Sequence, residues 1–179
     1  MTKAVCLLRA VNVGGRKVVM SELRALAEAE GFAGAKTLLA SGNLVVDAGG
    51  LSSAVLSERL EAAFQKRFGF HSEFICRTAA EWRTLMDGCP FPEDAASRGN
   101  RLLVLVSQGE PAADVVEKLQ ALAQDGERVA RHGGDVWIAF TDGMADSRLM
   151  NAKAMKAFGT PTTGRNWNTV AKLAALAEA

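Results

Sequence analysis

The segment RAVNVGGRK, residues 9–17, combines residue types that can bind an anion. Two adjacent glycines let the backbone approach a ligand closely and turn its N–H groups toward it. The arginines and the lysine can neutralise a phosphate or a carboxylate, and an arginine can do so through two parallel hydrogen bonds. The spacing matches neither GxGxxG nor GxxxxGK[ST], so it predicts neither a dinucleotide fold nor a P-loop. A solvated loop without a ligand is the alternative. The candidate residues are Arg9, Asn12, Gly14, Gly15, Arg16 and Lys17.

A second short polar segment is SGN, which comprises Ser41, Gly42 and Asn43. Glycine and asparagine reach positive φ at low energetic cost, and a tight hairpin turn requires such residues. A turn between two strands therefore explains the segment without any ligand. Its functional weight depends on which residues the fold places beside it.

A third polar segment, RNWNT at residues 165–169, surrounds a tryptophan with hydrogen-bonding groups. One asparagine can cap a following helix, but capping explains the second asparagine poorly and Arg165 not at all. An arginine beside an aromatic ring and two amides can hold a phosphate and stack on a base. Capping alone and capping combined with a ligand or interface contact both remain open. The candidate residues here are Arg165, Asn166, Trp167 and Asn168.

The elements that position these segments follow from the pattern of apolar residues. The first half predicts strands at 3–10, 36–40, 43–47 and 72–78 and helices at 21–31 and 52–67, with Ser21 as a possible N-cap and Gly31 as a C-terminal cap. A short helix at 79–87 follows. The order β-α-β-β-α-β is that of a ferredoxin-like unit.

The second half repeats this order in part. It predicts a strand at 101–107, a helix at 111–124, a hairpin of strands 127–132 and 135–140, and helices at 144–158 and 167–177. A helix therefore stands where the sixth element would be a strand. We expect an α+β fold of two ferredoxin-like halves with antiparallel sheets, helices on one face and a C-terminal helix. The predicted divisions are residues 1–88, a connection at 89–100 and residues 101–179.

Topology predicts that two of the polar segments meet. A right-handed crossover makes the first two strands of a ferredoxin-like unit run in the same direction. Their carboxyl ends therefore lie at the same edge of the sheet. Residues 9–17 follow the first strand and residues 41–43 follow the second, so we expect them to be close in space.

Composition limits the class of protein. The chain has 179 residues and a net charge of +1, and 49% of its residues are hydrophobic, which is typical of a globular protein. No run reaches the roughly 20 apolar residues of a membrane span, and the amino terminus does not resemble a signal peptide, so we expect a cytoplasmic protein. The two histidines stand far apart without ligand spacing, which predicts neither a metal nor a cofactor. The cysteines Cys6, Cys76 and Cys89 are expected to be reduced, and Cys6 and Cys76 to be buried on neighbouring strands.

Three stretches resemble a bacterial family known as domain of unknown function 1697. LLRAVNVGGRKVVMSELRALAEAEGF, SGNLVV and TGRNWNTVAKL are similar to the family's LLRGINVGG, QSGN and T-x-RNWNT-x-x-KL patterns, and the resemblance runs from about residue 5 to residue 175. Ala10 and Ala40 stand where the family usually has glycine and glutamine. The resemblance implies an α+β fold with ferredoxin-like halves and suggests that the three polar segments belong together. The function of the family is uncharacterised, so no substrate follows from it.

The sequence thus supports several functions. The first is binding of a phosphate-bearing or other anionic ligand, a nucleotide or single-stranded nucleic acid, at the edge formed by 9–17, 41–43 and 165–169. The second is an enzyme acting on a small anionic substrate at the same edge. The third is an assembly module that meets a protein partner there.

Overall fold

The computed structural model describes residues 2–179 and has an α+β architecture with two four-stranded antiparallel sheets. The chain forms two compact units, which are residues 2–84 together with 172–179, and residues 85–171. The sequence placed residues 172–179 with the second half, whereas the structure places them in the first unit. Among residues 2–179, no helix combines the length and the apolar character needed to cross a bilayer.

The first unit is built around the sheet with strand order β2-β3-β1-β4. Its elements are β1 (Lys3–Leu8), α1 (Met20–Ala29), β2 (Lys36–Thr37), β3 (Asn43–Asp47), α2 (Ser53–Phe68), β4 (Phe74–Thr78) and the start of α3 (Ala79–Asp87). Strands β1 and β2 both lie in this sheet. They run in the same direction because β3 is antiparallel to both. The predicted shared edge is therefore present.

The second unit is built around the sheet with strand order β6-β7-β5-β8. Its elements are α4 (Pro92–Ser97), β5 (Leu102–Ser107), α5 (Val115–Gln120), β6 (Arg128–His132), β7 (Asp135–Ala139), α6 (Ala152–Lys156), β8 (Thr162–Asn166) and the start of α7 (Trp167–Glu178). Short 3-10 turns lie at Gly99–Arg101 and Arg148–Met150. The hairpin predicted around Gly133 and Gly134 joins β6 to β7.

The core of each unit lies between its sheet and its helices. In the first unit, alternate residues of β1 such as Cys6 pack with Leu23 of α1 and with Leu60 and Phe64 of α2. This arrangement follows from the two-residue period of a strand and the 3.6-residue period of a helix. The intervening residues of β1 are also buried, so the strand reads as a continuous apolar run rather than an alternating one.

Some helix ends have the capping residue that the sequence pattern suggests, and others do not. Ser52 caps α2 by accepting a hydrogen bond from the Val55 amide at 3.3 Å, and Gly69 ends the helix in a left-handed conformation. The prediction that Ser21 caps α1 is wrong, because the cap position is Val19 and Ser21 lies inside the helix. Val19 has the extended backbone of a cap but no side-chain oxygen with which to accept a hydrogen bond.

Several predicted boundaries are also wrong. The missing sixth element of the second half is a strand, since β8 pairs with β5 from Thr162 to Asn166. The helix predicted at 111–124 is reduced to α5, and the helix predicted at 144–158 is divided between a 3-10 turn and α6. The strand predicted at 36–40 is only two residues long, because the left-handed backbone of Leu39 turns the chain away from the sheet.

Candidate anion-binding edge

Asn12 organises the loop that follows β1. Its side-chain amide donates to the Ala40 carbonyl at 2.6 Å and to the Val18 carbonyl at 3.2 Å, and its Oδ1 accepts from the Val18 amide at 2.8 Å. Asn12 itself has φ +56°, which asparagine tolerates better than most residues. One side chain therefore closes the loop at its base and joins it to the turn before β3. We call residues 9–19 and 38–43 the loop edge.

The turn before β3 meets this loop at very short range. A Cβ atom on Gly42, which has φ +84°, would lie 2.7 Å from Val11 Cγ2 and 2.8 Å from Leu8 Cβ. The Gly42 carbonyl accepts a hydrogen bond from the Leu8 amide at 2.8 Å. The predicted proximity of 9–17 and 41–43 is therefore confirmed.

Asn43 holds the turn from inside. Its buried amide donates to the Leu38 carbonyl at 2.7 Å and to Ser41 Oγ at 2.9 Å. The Asn43 carbonyl in turn accepts from the Leu38 amide at 3.1 Å. The side chains of both asparagines thus bond within the loop edge itself. Within the SGN segment, Ser41 is exposed, and Gly42 and Asn43 are buried.

The three cations of the loop have different surroundings. Arg9 forms an ion pair with Glu73, with 3.2 Å between Nη1 and Oε1, so its charge is already compensated. The guanidinium of Arg16 lies over the Phe70 ring, 5.4 Å from its centre, which restricts where it can point. Lys17 is exposed. Arg16 and Lys17 are therefore the cations of the loop that can serve a ligand.

The exposed tip of the loop also offers backbone donors. Gly14 and Gly15 have φ of +59° and +85° and lie at the surface. Within residues 2–179, their amide groups make no hydrogen bond to the protein. The first turn of α1 follows directly, and no side chain caps its amides. Residues 9–19 thus combine backbone donors with positive charge and contain no acidic residue, whereas Glu22 stands in the first turn of α1.

The loop edge also exposes aliphatic side chains. Val13, Val19 and Leu39 are 57%, 55% and 54% exposed. Leu39 has φ +60°, a conformation that is costly for a bulky residue. Ala10 has φ +54°, which glycine adopts more readily.

The RNWNT segment lies in the second unit, at the end of β8 and the start of α7. Arg165 pairs with Val104 across the sheet and is buried. Its Nη1 donates to Thr163 Oγ1 at 2.9 Å and to the Gly164 carbonyl at 2.8 Å. Burial lowers the pKa of Arg165 to about 10, so the side chain is still charged at neutral pH.

The other residues of this segment have clear local roles. Asn166 caps α7, since its Oδ1 accepts from the Thr169 amide at 3.0 Å. The Trp167 ring packs on Trp137 with 5.6 Å between centroids. The exposed Asn168 lies against Gly99, where an added Cβ would come within 2.3 Å of its Oδ1. The prediction that Arg165 and one asparagine face loop 9–17 or turn 41–43 stays a prediction.

The two acids with displaced pKa values, Glu81 and Asp94, have structural partners. Burial alone would raise the pKa of Glu81. Hydrogen bonds from Ser53 and from the Thr78 backbone and side chain lower that pKa by more, so the net shift is downward. Thr78 and Glu81 form the capping box of α3, with the Thr78 amide donating to Glu81 at 2.7 Å and the Glu81 amide to Thr78 Oγ1 at 3.2 Å. The hydrogen bond from Arg98, with a further one from Arg128, lowers the pKa of Asp94 despite burial.

The thiols are placed as the sequence predicted. Cys6 and Cys76 are buried, stand opposite each other on β1 and β4, and are free. Burial raises the pKa of Cys6 well above its usual range, which makes its thiol unreactive. Residues 2–179 contain no group of three or more histidine, cysteine or acidic side chains that could hold a metal ion.

Most of this chain matches one sequence family. The family described as Protein of unknown function (DUF1697) matches residues 1–137, which include the whole loop edge. The chain belongs to this family. Residues 165–169 lie outside the matched range. No curated protein matches the chain.

A solved structure shares the fold of this DUF1697 member. The conserved bacterial protein SP0830 from Streptococcus pneumoniae superposes with a TM-score of 0.77 at 23% sequence identity. The superposition covers 100% of this chain and 99% of SP0830. At that identity the likeness establishes the fold.

Sequence reasoning identified most of the polar residues of the loop edge but missed their neighbours. It did not find Phe70, which lies beneath Arg16, or Glu73, which compensates Arg9. Both stand more than fifty residues away in the chain and carry no local signal. Nothing in the sequence indicated that the aliphatic residues Val13, Val19 and Leu39 would be exposed. The left-handed backbone of Leu39 had no signal, because leucine is rarely found in that conformation.

Proposed function

We propose that the protein binds a phosphate-bearing or other anionic ligand, such as a nucleotide or single-stranded nucleic acid, at the loop edge. The observation that carries this proposal is the exposed tip between Asn12 and Val18. There the amides of Gly14 and Gly15 have no protein partner within the described residues, and Arg16 and Lys17 stand beside them. Oriented amides together with cations are the groups that bind phosphate in proteins.

The architecture around the tip supports a preformed site rather than a mobile loop. Asn12 makes three hydrogen bonds that fix both ends of the loop. The Arg16 guanidinium rests on an aromatic ring. A ligand therefore meets groups whose positions are already restricted, which reduces the entropy lost on binding.

Titration with inorganic phosphate, followed through backbone amide resonances, tests the proposal. We expect the resonances of Gly14, Gly15 and the first turn of α1 to shift. The double variant Arg16→Gln, Lys17→Gln should weaken binding at least tenfold. Lys153→Gln removes one exposed charge from α6 in the second unit and is the control; it should leave the titration unchanged.

Two results would count against binding at this edge. One is a phosphate titration that leaves the glycine amides unmoved while shifting resonances elsewhere. The other is an equal loss of affinity in the double variant and in Lys153→Gln, which would indicate attraction by overall charge alone. Arg165→Lys in the same titration tests the separate prediction for residues 165–169, because lysine keeps the charge and loses the planar donor arrangement.

We further infer that each unit is ferredoxin-like and that the chain is an internal duplication. Support comes from the matching element order, β-α-β-β-α-β, and from the matching strand orders β2-β3-β1-β4 and β6-β7-β5-β8. The cytoplasm is the compartment we propose for the protein, on the sequence grounds given above. The enzyme and assembly alternatives stay predictions.

A further inference from the structure

The loop edge combines its charged groups with exposed apolar ones. Among residues 2–179, the large hydrophobic side chains with the greatest exposure are Val13, Val19 and Leu39, and all three lie on this edge. Val13 follows Asn12, Val19 follows Val18, and Leu39 precedes Ala40 in the chain. Since Asn12 bonds directly to Val18 and Ala40, one side chain brings the three neighbourhoods together.

Leu39 combines an unfavourable backbone conformation with an exposed side chain. A leucine with φ +60° is destabilised by its own backbone conformation, and its side chain gains little in return because it is 54% exposed. Val19 has an ordinary extended backbone, but it fills the cap position of α1 without capping the helix and is 55% exposed. Two positions thus keep an apolar surface at the expense of local stability.

The charges of the edge are few. Arg9 is paired with Glu73, which leaves Arg16 and Lys17 beside the free glycine amides. Two cations match one phosphate group, whereas a nucleic-acid strand needs a groove of cations that follows several phosphates. Strand binding also relies on aromatic side chains on which successive bases stack. Residues 9–19 and 38–43 contain no aromatic residue, and the nearby Phe70 ring already lies under Arg16.

From this combination we infer that the ligand of the loop edge is a small organic phosphate with an apolar body beside the phosphate, a nucleoside monophosphate being the type, rather than a nucleic-acid strand. The inference rests on the proposed anion binding and names the class of ligand. The phosphate takes the amides of Gly14 and Gly15 with Arg16 and Lys17. The planar base covers the aliphatic side chains, chiefly Leu39, in the way that apolar surfaces line most small-molecule sites.

Calorimetric titration of the full chain with five probes tests the inference. The probes are AMP, ribose 5-phosphate, adenosine, inorganic phosphate and a twelve-residue oligo(dT). We expect AMP to bind about tenfold more tightly than ribose 5-phosphate, as the partial burial of one leucine predicts. Adenosine should bind more weakly than AMP because it lacks the phosphate.

Substitutions locate the apolar contact. In Leu39→Asn, the ratio of the AMP and ribose 5-phosphate affinities should fall from about ten to about one. Asparagine is suited to this position because it accepts a left-handed backbone, so the variant keeps the turn. Val13→Thr should lower the same ratio severalfold, whereas the identical change Val55→Thr on α2, at another exposed valine, should leave it unchanged.

The outcomes separate this inference from the proposed function. Equal binding of AMP and ribose 5-phosphate would overturn the inference while leaving anion binding intact. Tighter binding of oligo(dT) than of AMP, with an affinity that falls steeply with salt, would overturn it in favour of a strand. Absence of binding by all four phosphate-bearing probes, which are AMP, ribose 5-phosphate, inorganic phosphate and oligo(dT), would remove the proposed function, and the inference with it.

Discussion

Replacement of Gly42 by alanine should destabilise the first unit through two separable effects. The first is conformational, because Gly42 has φ +84° and an L-residue in that region is strained by about 1–2 kcal/mol. The second is steric, because the new Cβ would lie 2.7 Å from Val11 Cγ2 and 2.8 Å from Leu8 Cβ. Both distances are far below normal carbon–carbon contact, and both neighbours are buried, so neither can move freely.

The magnitude follows from adding the two effects. Overpacking by a single carbon in a close-packed region costs about 1–3 kcal/mol. Together with the backbone strain, Gly42→Ala should lower the free energy of unfolding by about 2–5 kcal/mol. That is a large share of the roughly 5–15 kcal/mol by which native domains are stable.

Gly50→Ala is the matched control. Gly50 has φ +87°, almost the same backbone conformation, but nothing lies within 4 Å of the position of an added Cβ. Its substitution should therefore cost only the conformational part. The entropy that alanine removes from the unfolded chain is similar at both sites and cancels in the difference.

Urea denaturation followed by far-ultraviolet circular dichroism, with amide exchange in β1 and β3, measures both variants. We expect Gly42→Ala to lose about 1–3 kcal/mol more than Gly50→Ala. Equal losses would refute the steric argument and would mean that the contact between turn and loop yields without cost. A further refutation would be loss of protection confined to residues far from the Leu8 amide, which bonds to the Gly42 carbonyl.

Four further expectations concern single side chains. Val19→Asp should add about 1 kcal/mol by capping α1 and should weaken phosphate binding, as thermal unfolding and titration would show. Because the pKa of Glu81 is lower in the folded state, its contribution to stability is present above the unfolded pKa of about 4.3 and is lost as pH falls through the folded value; Glu81→Gln should flatten this part of a Tm–pH profile. Asn166→Ala should cost about 1 kcal/mol in urea denaturation, and Asn168→Ala clearly less, because Asn166 is the cap of α7. Of the three thiols, only that of Cys89 should react with a labelling reagent before unfolding; complete labelling of all three would contradict the buried core.

Much of the fold was readable because long apolar patterns determine it. The apolar runs of β1 and β5 and the helical spacing in α2 predicted elements whose bounds changed little in the structure. β8 was not recognised because TTGRN has neither alternation nor a branched apolar core. It is a strand because Thr162 to Asn166 complete the hydrogen bonding of β5, and Thr162 and Ser107 join their hydroxyl groups at 2.8 Å across the pair. Such pairing is a property of the sheet and not of the segment.

The candidate site, too, was predictable in part: its location followed from the topology, but the contacts of its residues did not. Topology alone brought the loop after β1 to the turn before β3, because the direction of two strands fixes where their ends meet. The roles within the site depended on contacts that spacing does not show. The sequence proposed Asn12 as a ligand-binding residue but did not show that its side chain bonds to Val18 and Ala40. The sequence proposed Arg9 as a ligand-binding residue but did not show its ion pair with Glu73.

The composition of the first unit from two separated stretches of chain bears on the order of synthesis. Glu178 pairs with Arg83 at 3.0 Å, and Leu176 lines a cleft with Lys3 and Val45, so residues 172–179 contribute contacts to a unit that otherwise ends at residue 84. A ribosome makes all of residues 85–171 before it reaches them. The first unit must therefore wait, partly assembled, while the second is translated, and at roughly 5–20 residues per second that delay lasts several seconds. A stop codon just before residue 172 would therefore remove contacts from the unit that is made first.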